Sequence, residues 1–264
     1  MSTTTQQYTR VAIVTGAAQG IGKGISLRLA ADGLDIVVAD LPSKIDALNK
    51  VVKEIEGLGR KAVAVPTNVT QEEEVKALVE AAVSHLGRVD VMVANAGVAG
   101  IGVATGPVIE ANADDWNKCW DVNIRGVLFS YKHAALQMIK QGNGGRLIGA
   151  SSLAGTRGYA NMGAYCISKF AVRALTQTMA QELREHKITA NAYAPGAIDT
   201  EMIASSVDKE HGVGYGIKQF MKLPSWIGTG QPSDVANVVS FLASQDSHFV
   251  TGQTISVDDG IHLS

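Results

Sequence analysis

Cysteine is nearly absent: the 264 residues hold only Cys119 and Cys166. Two thiols cannot form a disulfide framework, which excludes a small stapled secreted scaffold and favours a reducing compartment. Charge of one sign is lacking too, with 23 Lys and Arg against 25 Asp and Glu and a net charge of -2. That balance offers no electrostatic pull toward nucleic acid or an anionic membrane, so small molecules and copies of the same chain are the expected partners. No apolar run reaches the roughly 20 residues of a membrane span. Residues 1–7 have neither the basic region nor the apolar core of a signal peptide. The cytoplasm is therefore the expected location. The six histidines do not pair at ligand spacing, and no metal is expected.

What the chain has in excess is glycine, 28 of 264 residues against a usual share of about 7%. The glycines stand singly at the ends of apolar runs, as in a sheet whose loops carry backbone through tight places. Apolar runs at 11–15, 35–39, 61–66, 89–94, 145–150, 188–194 and 254–257 alternate with helical periodicity at 23–31, 43–58, 71–86, 113–140, 161–186 and 232–243. This alternation predicts an α/β fold: a Rossmann-type, doubly wound parallel sheet of about seven strands. No linker, repeat or composition break divides residues 1–264, so one domain is expected. The irregular but aromatic-bearing stretch 197–230 reads as a lid over a substrate.

The first run stops at Gly16, and Gly16-Ala-Ala-Gln-Gly20-Ile-Gly22 leads directly into a helix. Strand, glycine turn and helix in that order suit a pyrophosphate held on backbone N–H groups at a helix N-terminus. Asp40 ends the second run, 18 positions after Gly22, near the separation of about 20 expected for a carboxylate that binds a ribose 2′-hydroxyl. No Arg or Lys between Asp40 and Ser43 offsets its charge, so NAD is favoured over NADP. Asn95-Ala96-Gly97 stands at the C-terminal end of the fourth run, the edge where such sheets bind ligands. Asn123 sits inside a helical stretch despite poor propensity, a hint of a special task.

Ser152 follows the fifth run, and Tyr165 and Lys169 lie four apart on the next helix, hence on one face. An ammonium close to a phenol favours the phenolate, so a lowered tyrosine pKa is expected. Together the three groups could polarise a carbonyl and exchange a proton with it. A lone Y-x-x-x-K is a weak signal; the cofactor pattern around it gives it weight.

Thr15-Gly16-x-x-x-Gly20-Ile-Gly22, Asn95-Ala96-Gly97, Asn123, Ser152, Tyr165-x-x-x-Lys169 and Pro195-Gly196 together resemble the short-chain dehydrogenase/reductase family from Val11 to the C-terminus. The resemblance implies Tyr165 as proton donor and acceptor, Ser152 as the substrate-oxygen ligand, Lys169 as the tuning cation, and Asn123 as holder of a relay water. It implies NAD(H) contacts from Gly16, Gln19, Gly20, Ile21, Gly22, Asp40, Asn68, Val69, Asn95, Ala96, Gly97, Tyr165, Lys169, Pro195, Gly196, Ile198 and Thr200, with Thr200 at the nicotinamide carboxamide. It also implies a homotetramer and no metal. Within the family the chain is most similar to diacetyl or acetoin reductases, also called butanediol dehydrogenases, through Ala18–Lys23, Ser168–Arg173, Leu175–Thr178, Gly214-Tyr215-Gly216 and Thr251-Gly252-Gln253.

Four residues depart from that branch. Leu153 and Tyr159 stand where polar side chains are usual, which points to a bulkier or more apolar ketone; with Ser152, Tyr165 and Met202 they form the expected substrate pocket. Asn68 replaces an Asp at the adenine, and Asp259 replaces a glycine near the C-terminus. A sugar or polyol dehydrogenase, a β-ketoacyl thioester reductase and a non-catalytic dinucleotide sensor are the alternatives.

Overall fold

Strands whose side chains are apolar on both faces need cover on both faces, and this requirement organises the molecule. The computed structural model describes residues 8–99, 105–224 and 226–262. Its strands are β1 (Val11–Thr15), β2 (Asp35–Asp40), β3 (Ala62–Pro66), β4 (Val91–Ala94), β5 (Gly145–Ala150), β6 (Ile188–Pro195) and β7 (Thr254–Val257). They form one parallel sheet in the order β3-β2-β1-β4-β5-β6-β7. The helices are α1 (Gly20–Ala31), α2 (Ile45–Gly57), α3 (Glu72–Leu86), α4 (Ala113–Trp120), α5 (Gly126–Gln141), α6 (Gly163–Glu182), α7 (Asp208–His211), α8 (Tyr215–Phe220) and α9 (Pro232–Ala243).

Alternation along β1 divides the core. Ala12 and Val14 face α1, α2 and α9, packing with Ile25, Leu48 and Val235. Val11 and Ile13 face α3, α5 and α6, packing with Leu78, Tyr131 and Val172. The chain runs outward from β1 to β3 and then returns to β4 on the other side of β1. The loops after β1 and β4 diverge there and leave a crevice at the strands' C-terminal ends.

Most boundaries match the expected pattern within two residues, and the departures have local causes. β4 begins at Val91 rather than Val89 because the Gln141 amide takes both backbone groups of Val89, at 2.9 and 2.8 Å. The helical path expected over 113–140 is continuous, but it widens into one π turn at Asp121–Arg125, around Asn123. The stretch 197–230 is more ordered than its sequence suggests, since α7 and α8 lie within it. Helices of four and six residues are too short for periodicity to show. The two ends of this stretch are joined, with Asp199 N–H donating to Gly230 O at 2.8 Å and Gly230 N–H to Ala197 O at 2.9 Å. Within it, the Asp208 carboxylate accepts from Ser205 N–H at 2.9 Å and Gly216 N–H at 2.8 Å, bonds that lower its pKa. Residues 1–7, and 100–104 of the glycine-bearing loop after Gly97, lie outside the described residues. Among the described residues no helix is long and apolar enough to cross a membrane.

Asp90 closes the far end of β1: its carboxylate accepts from Val11 N–H at 2.9 Å and from Arg88 at 2.6 and 2.7 Å, with both side chains largely buried. Asp90→Ala leaves the buried Val11 N–H without its acceptor and the Arg88 guanidinium without its carboxylate. Urea unfolding is expected to show a loss of roughly 2–4 kcal/mol; a loss under 0.5 kcal/mol would contradict the assigned contacts.

Candidate active site

Asn95, just past β4, forms the floor of the crevice. Its Nδ2 donates to Thr15 O at 2.8 Å and Gly16 O at 3.2 Å, while Thr15 Oγ1 accepts from Asn95 N–H and Ala96 N–H. The Tyr193 hydroxyl, fully buried on β6, donates to Asn95 Oδ1 at 2.9 Å, so the amide can point only one way. Gly16 has φ +66 and a Cβ there would stand 2.9 Å from both Asn95 Nδ2 and Ala96 Cα. Glycine is required on both counts.

The turn delivers α1, whose N-terminus has no side-chain cap, since Gln19 at the N-cap position turns its amide oxygen to Lys44 Nζ at 3.0 Å. The first N–H groups of α1 therefore remain open. Asp40, at the end of β2, accepts from Ala18 N–H at 3.1 Å and Leu41 N–H at 2.8 Å. Lys44 lies one residue beyond the window read for cations, and a short 3₁₀ turn at Pro42–Lys44 brings it back to the same end of the crevice.

At the other end stand Ser152, Tyr165 and Lys169. Ser152 follows β5, and its Oγ accepts from Ala154 N–H at 3.1 Å, which leaves its own proton free to donate. Lys169 is buried; its Nζ donates to Ala150 O at 2.9 Å and lies 5.5 Å from the Tyr165 ring centroid. Among the described residues no carboxylate pairs with it. Burial pushes the Tyr165 phenol up to about 12, against the pull of the Ser152 hydroxyl, and pushes the Lys169 amine down to about 8. The expected lowering of the phenol by its neighbouring cation is thus reversed. Desolvation is the largest cause of both shifts, and the ammonium is turned to the Ala150 carbonyl.

These groups share one cleft of about 320 Å³. It is lined by every residue expected to contact the cofactor and by Ser152, Leu153, Tyr165 and Met202; Asn123 and Tyr159 do not line it. Asn123 is fully buried, with Oδ1 accepting from Val98 N–H at 2.9 Å and Nδ2 donating to Val98 O at 2.9 Å and Ser168 Oγ at 3.1 Å. Ser168 Oγ in turn donates to Tyr165 O at 2.7 Å, so the amide braces the loop after β4 against α6. Tyr159 packs behind the wall with Met162 and Cys166, and its hydroxyl accepts from Arg157 at 2.7 Å. Asn68 lines the cleft while its Oδ1 accepts from Thr70 N–H and Oγ1 at 3.1 and 2.9 Å. Asp259 holds a left-handed φ of +55, and its carboxylate accepts from Gly228 N–H at 2.9 Å, tying the C-terminal turn to the 197–230 stretch. Sequence reasoning missed Lys44, Met162, Tyr193, Ile203, Ile217 and Met221. Only Tyr193 left a signal, a polar aromatic inside an apolar strand. Among the described residues no group of three or more His, Cys, Asp or Glu could hold a metal ion.

Residues 16–262 match the family profile described as enoyl-(acyl carrier protein) reductase. The short-chain dehydrogenase/reductase eriH of Hericium erinaceus is 44% identical over 95% of this chain and 96% of its own. The chain belongs to the short-chain dehydrogenase/reductase family. This short-chain dehydrogenase/reductase is accordingly an oxidoreductase. It is also 43% identical to the L-2,3-butanediol dehydrogenase of Corynebacterium glutamicum, over 96% of this chain and 98% of that one, which bears out the expected branch. Among solved structures, a short chain dehydrogenase from Mycobacterium paratuberculosis bound to NAD matches with a TM-score of 0.83 and 33% identity, covering 96% of this chain and 98% of that one.

Tyr193→Phe keeps the ring packing and leaves the half-buried Asn95 Oδ1 without its donor. A loss of about 1–2 kcal/mol is expected, read as a fall of the thermal midpoint by roughly 2–4 °C per kcal/mol; an unchanged midpoint would remove Tyr193 from this network.

Proposed function

We propose that this short-chain dehydrogenase/reductase interconverts a ketone and a secondary alcohol with NAD(H), Tyr165 moving the proton. The observation that supports the reading most is the order of groups along the single cleft: the Asp40 carboxylate, the open N-terminus of α1, then Lys169, Ser152 and Tyr165. A carboxylate suits the hydroxyls of an adenosine ribose and repels a 2′-phosphate. Open N–H groups at a helix start suit a pyrophosphate. An amine without a carboxylate partner suits the hydroxyls of the second ribose. These residues fit NAD(H): the Asp40 carboxylate, at the strand end itself, carries the preference, while the Lys44 ammonium stands on Gln19 Oε1 at 3.0 Å. When bound, the dinucleotide supplies or accepts the hydride.

The chain's own groups do the rest. Ser152 Oγ donates to the substrate oxygen and holds it beside the Tyr165 hydroxyl. In reduction Tyr165 gives that oxygen its proton as the charge develops, and in oxidation the Tyr165 phenolate takes the alcohol proton. Lys169, charged below about 8 and with its Nζ 5.5 Å from the Tyr165 ring centroid, favours the phenolate through its charge. Asn123 acts through Ser168, keeping the first turn of α6 in place. Assembly as a homotetramer belongs to the same reading, with Leu128 and Leu136 of α5 and Ile167 and Phe170 of α6 as exposed apolar side chains available for burial.

Tyr165→Phe is expected to lower kcat for ketone reduction by roughly 10²–10⁴-fold while the NADH dissociation constant, read by fluorescence titration, stays within about threefold. Loss of NADH binding would remove Tyr165 from the proton-donor role, and a tenfold NADPH preference in the wild type would remove Asp40 from the ribose.

The pH dependence has opposite signs in the two directions. A phenol held near 12 stays protonated through neutral pH, so reduction is expected to be level between about pH 6 and 8. Oxidation needs the phenolate, whose fraction rises tenfold per pH unit below the pKa. Its rate is expected to climb with pH and to flatten above about 8, where Lys169 discharges. Initial rates in both directions across pH 6–10 check this; an oxidation rate that falls between pH 6 and 8 would contradict it.

A further inference from the structure

The charges along the cleft are not evenly distributed. Asp40 and Lys44 stand at one end, and Glu201 lies beside the glycine turn, 3.6 Å from where a Cβ on Gly20 would be. Lys169 is buried with its Nζ on Ala150 O. The rest of the lining differs in character. The β5–α6 segment contributes Leu153 and Met162 to the cleft, and the 197–230 stretch contributes Met202, Ile203, Ile217 and Met221. None of these six side chains carries a hydrogen-bonding group stronger than a thioether. Met162 and Met221 pack in one cluster with Tyr165 itself. Tyr159 does not line the cleft: it packs on the outer cluster with Met162 and Cys166, and its hydroxyl accepts from Arg157 in an exposed bond.

We infer that the site selects monoketones with apolar substituents larger than methyl, and that it offers no grip to the second oxygen of a vicinal diketone, hydroxyketone or polyol. This rests on the ketone reductase reading above. A second oxygen entering this wall sheds its water and finds no donor, which opposes binding. Each methylene buried against the wall instead strengthens binding by about fourfold. Discrimination by an apolar pocket is gradual, whereas a site built around a polar partner rejects analogues steeply. Three methionines, unbranched and flexible, adapt to substituents of different shape, so a range of apolar ketones is accepted rather than one.

The test uses the purified enzyme with NADH and the series 2-butanone, 2-pentanone, 2-hexanone, with diacetyl beside it. KM is expected to fall about fourfold per added methylene, and diacetyl is expected to have a KM no lower than that of 2-butanone. Met221→Asn is expected to flatten the series while leaving the KM for NADH unchanged. A KM that does not fall along the series, or a diacetyl KM tenfold or more below that of 2-butanone, overturns the inference and leaves the ketone reductase reading standing. No turnover of any of the four compounds overturns that reading, and the inference with it.

Discussion

Asn95 grips the carbonyls of Thr15 and Gly16, and Tyr193 grips Asn95. Through this chain of three hydrogen bonds, β6 sets the position of the loop after β1, across β4 and β5, which lie between them in the sheet. A half-buried amide with both of its ends hydrogen-bonded within the protein has one orientation, and the backbone it holds has little freedom to drift. The open N-terminus of α1 takes its position from that turn. So does the approach of Ala18 N–H to Asp40.

The opposite end is governed by desolvation rather than by a pairing of charges. Tyr165 and Lys169 lie close together, yet burial drives the phenol up and the amine down. The protein alone therefore keeps a protonated acid beside a weakly held cation. In the proposed reaction this keeps the proton in place for transfer to the ketone oxygen and makes the reverse step the one that depends on pH. Asn123 contributes stiffness: its amide joins the loop after β4 to Ser168, and the π turn gives it room to reach both.

The repeated order of apolar strand and periodic helix was legible in the chain, because a parallel sheet covered on both faces leaves unbroken apolar runs. The glycine turn, Asp40, Asn95 and the Ser152, Tyr165 and Lys169 set were legible too, since each lies at the end of a strand or in the first turns of a helix, where local pattern determines position. Tyr159 and Met202 looked equivalent as pocket residues. Only Met202 lines the cleft; Tyr159 packs against Met162 and Cys166, and its hydroxyl meets Arg157 at the surface. Lys44 was missed although it is one residue past the stretch considered, since a 3₁₀ turn folds it back.

Sequence by itself determined the fold class, the family and the residue types brought to the strand ends, because these follow from periodicity and short-range spacing. Tertiary structure alone decided the sign of the Tyr165 and Lys169 shifts, the single orientation of Asn95 and the apolar wall around the hydroxyl pair. Each of those depends on which distant segments exclude water from a group, and that depends on contacts between residues tens of positions apart.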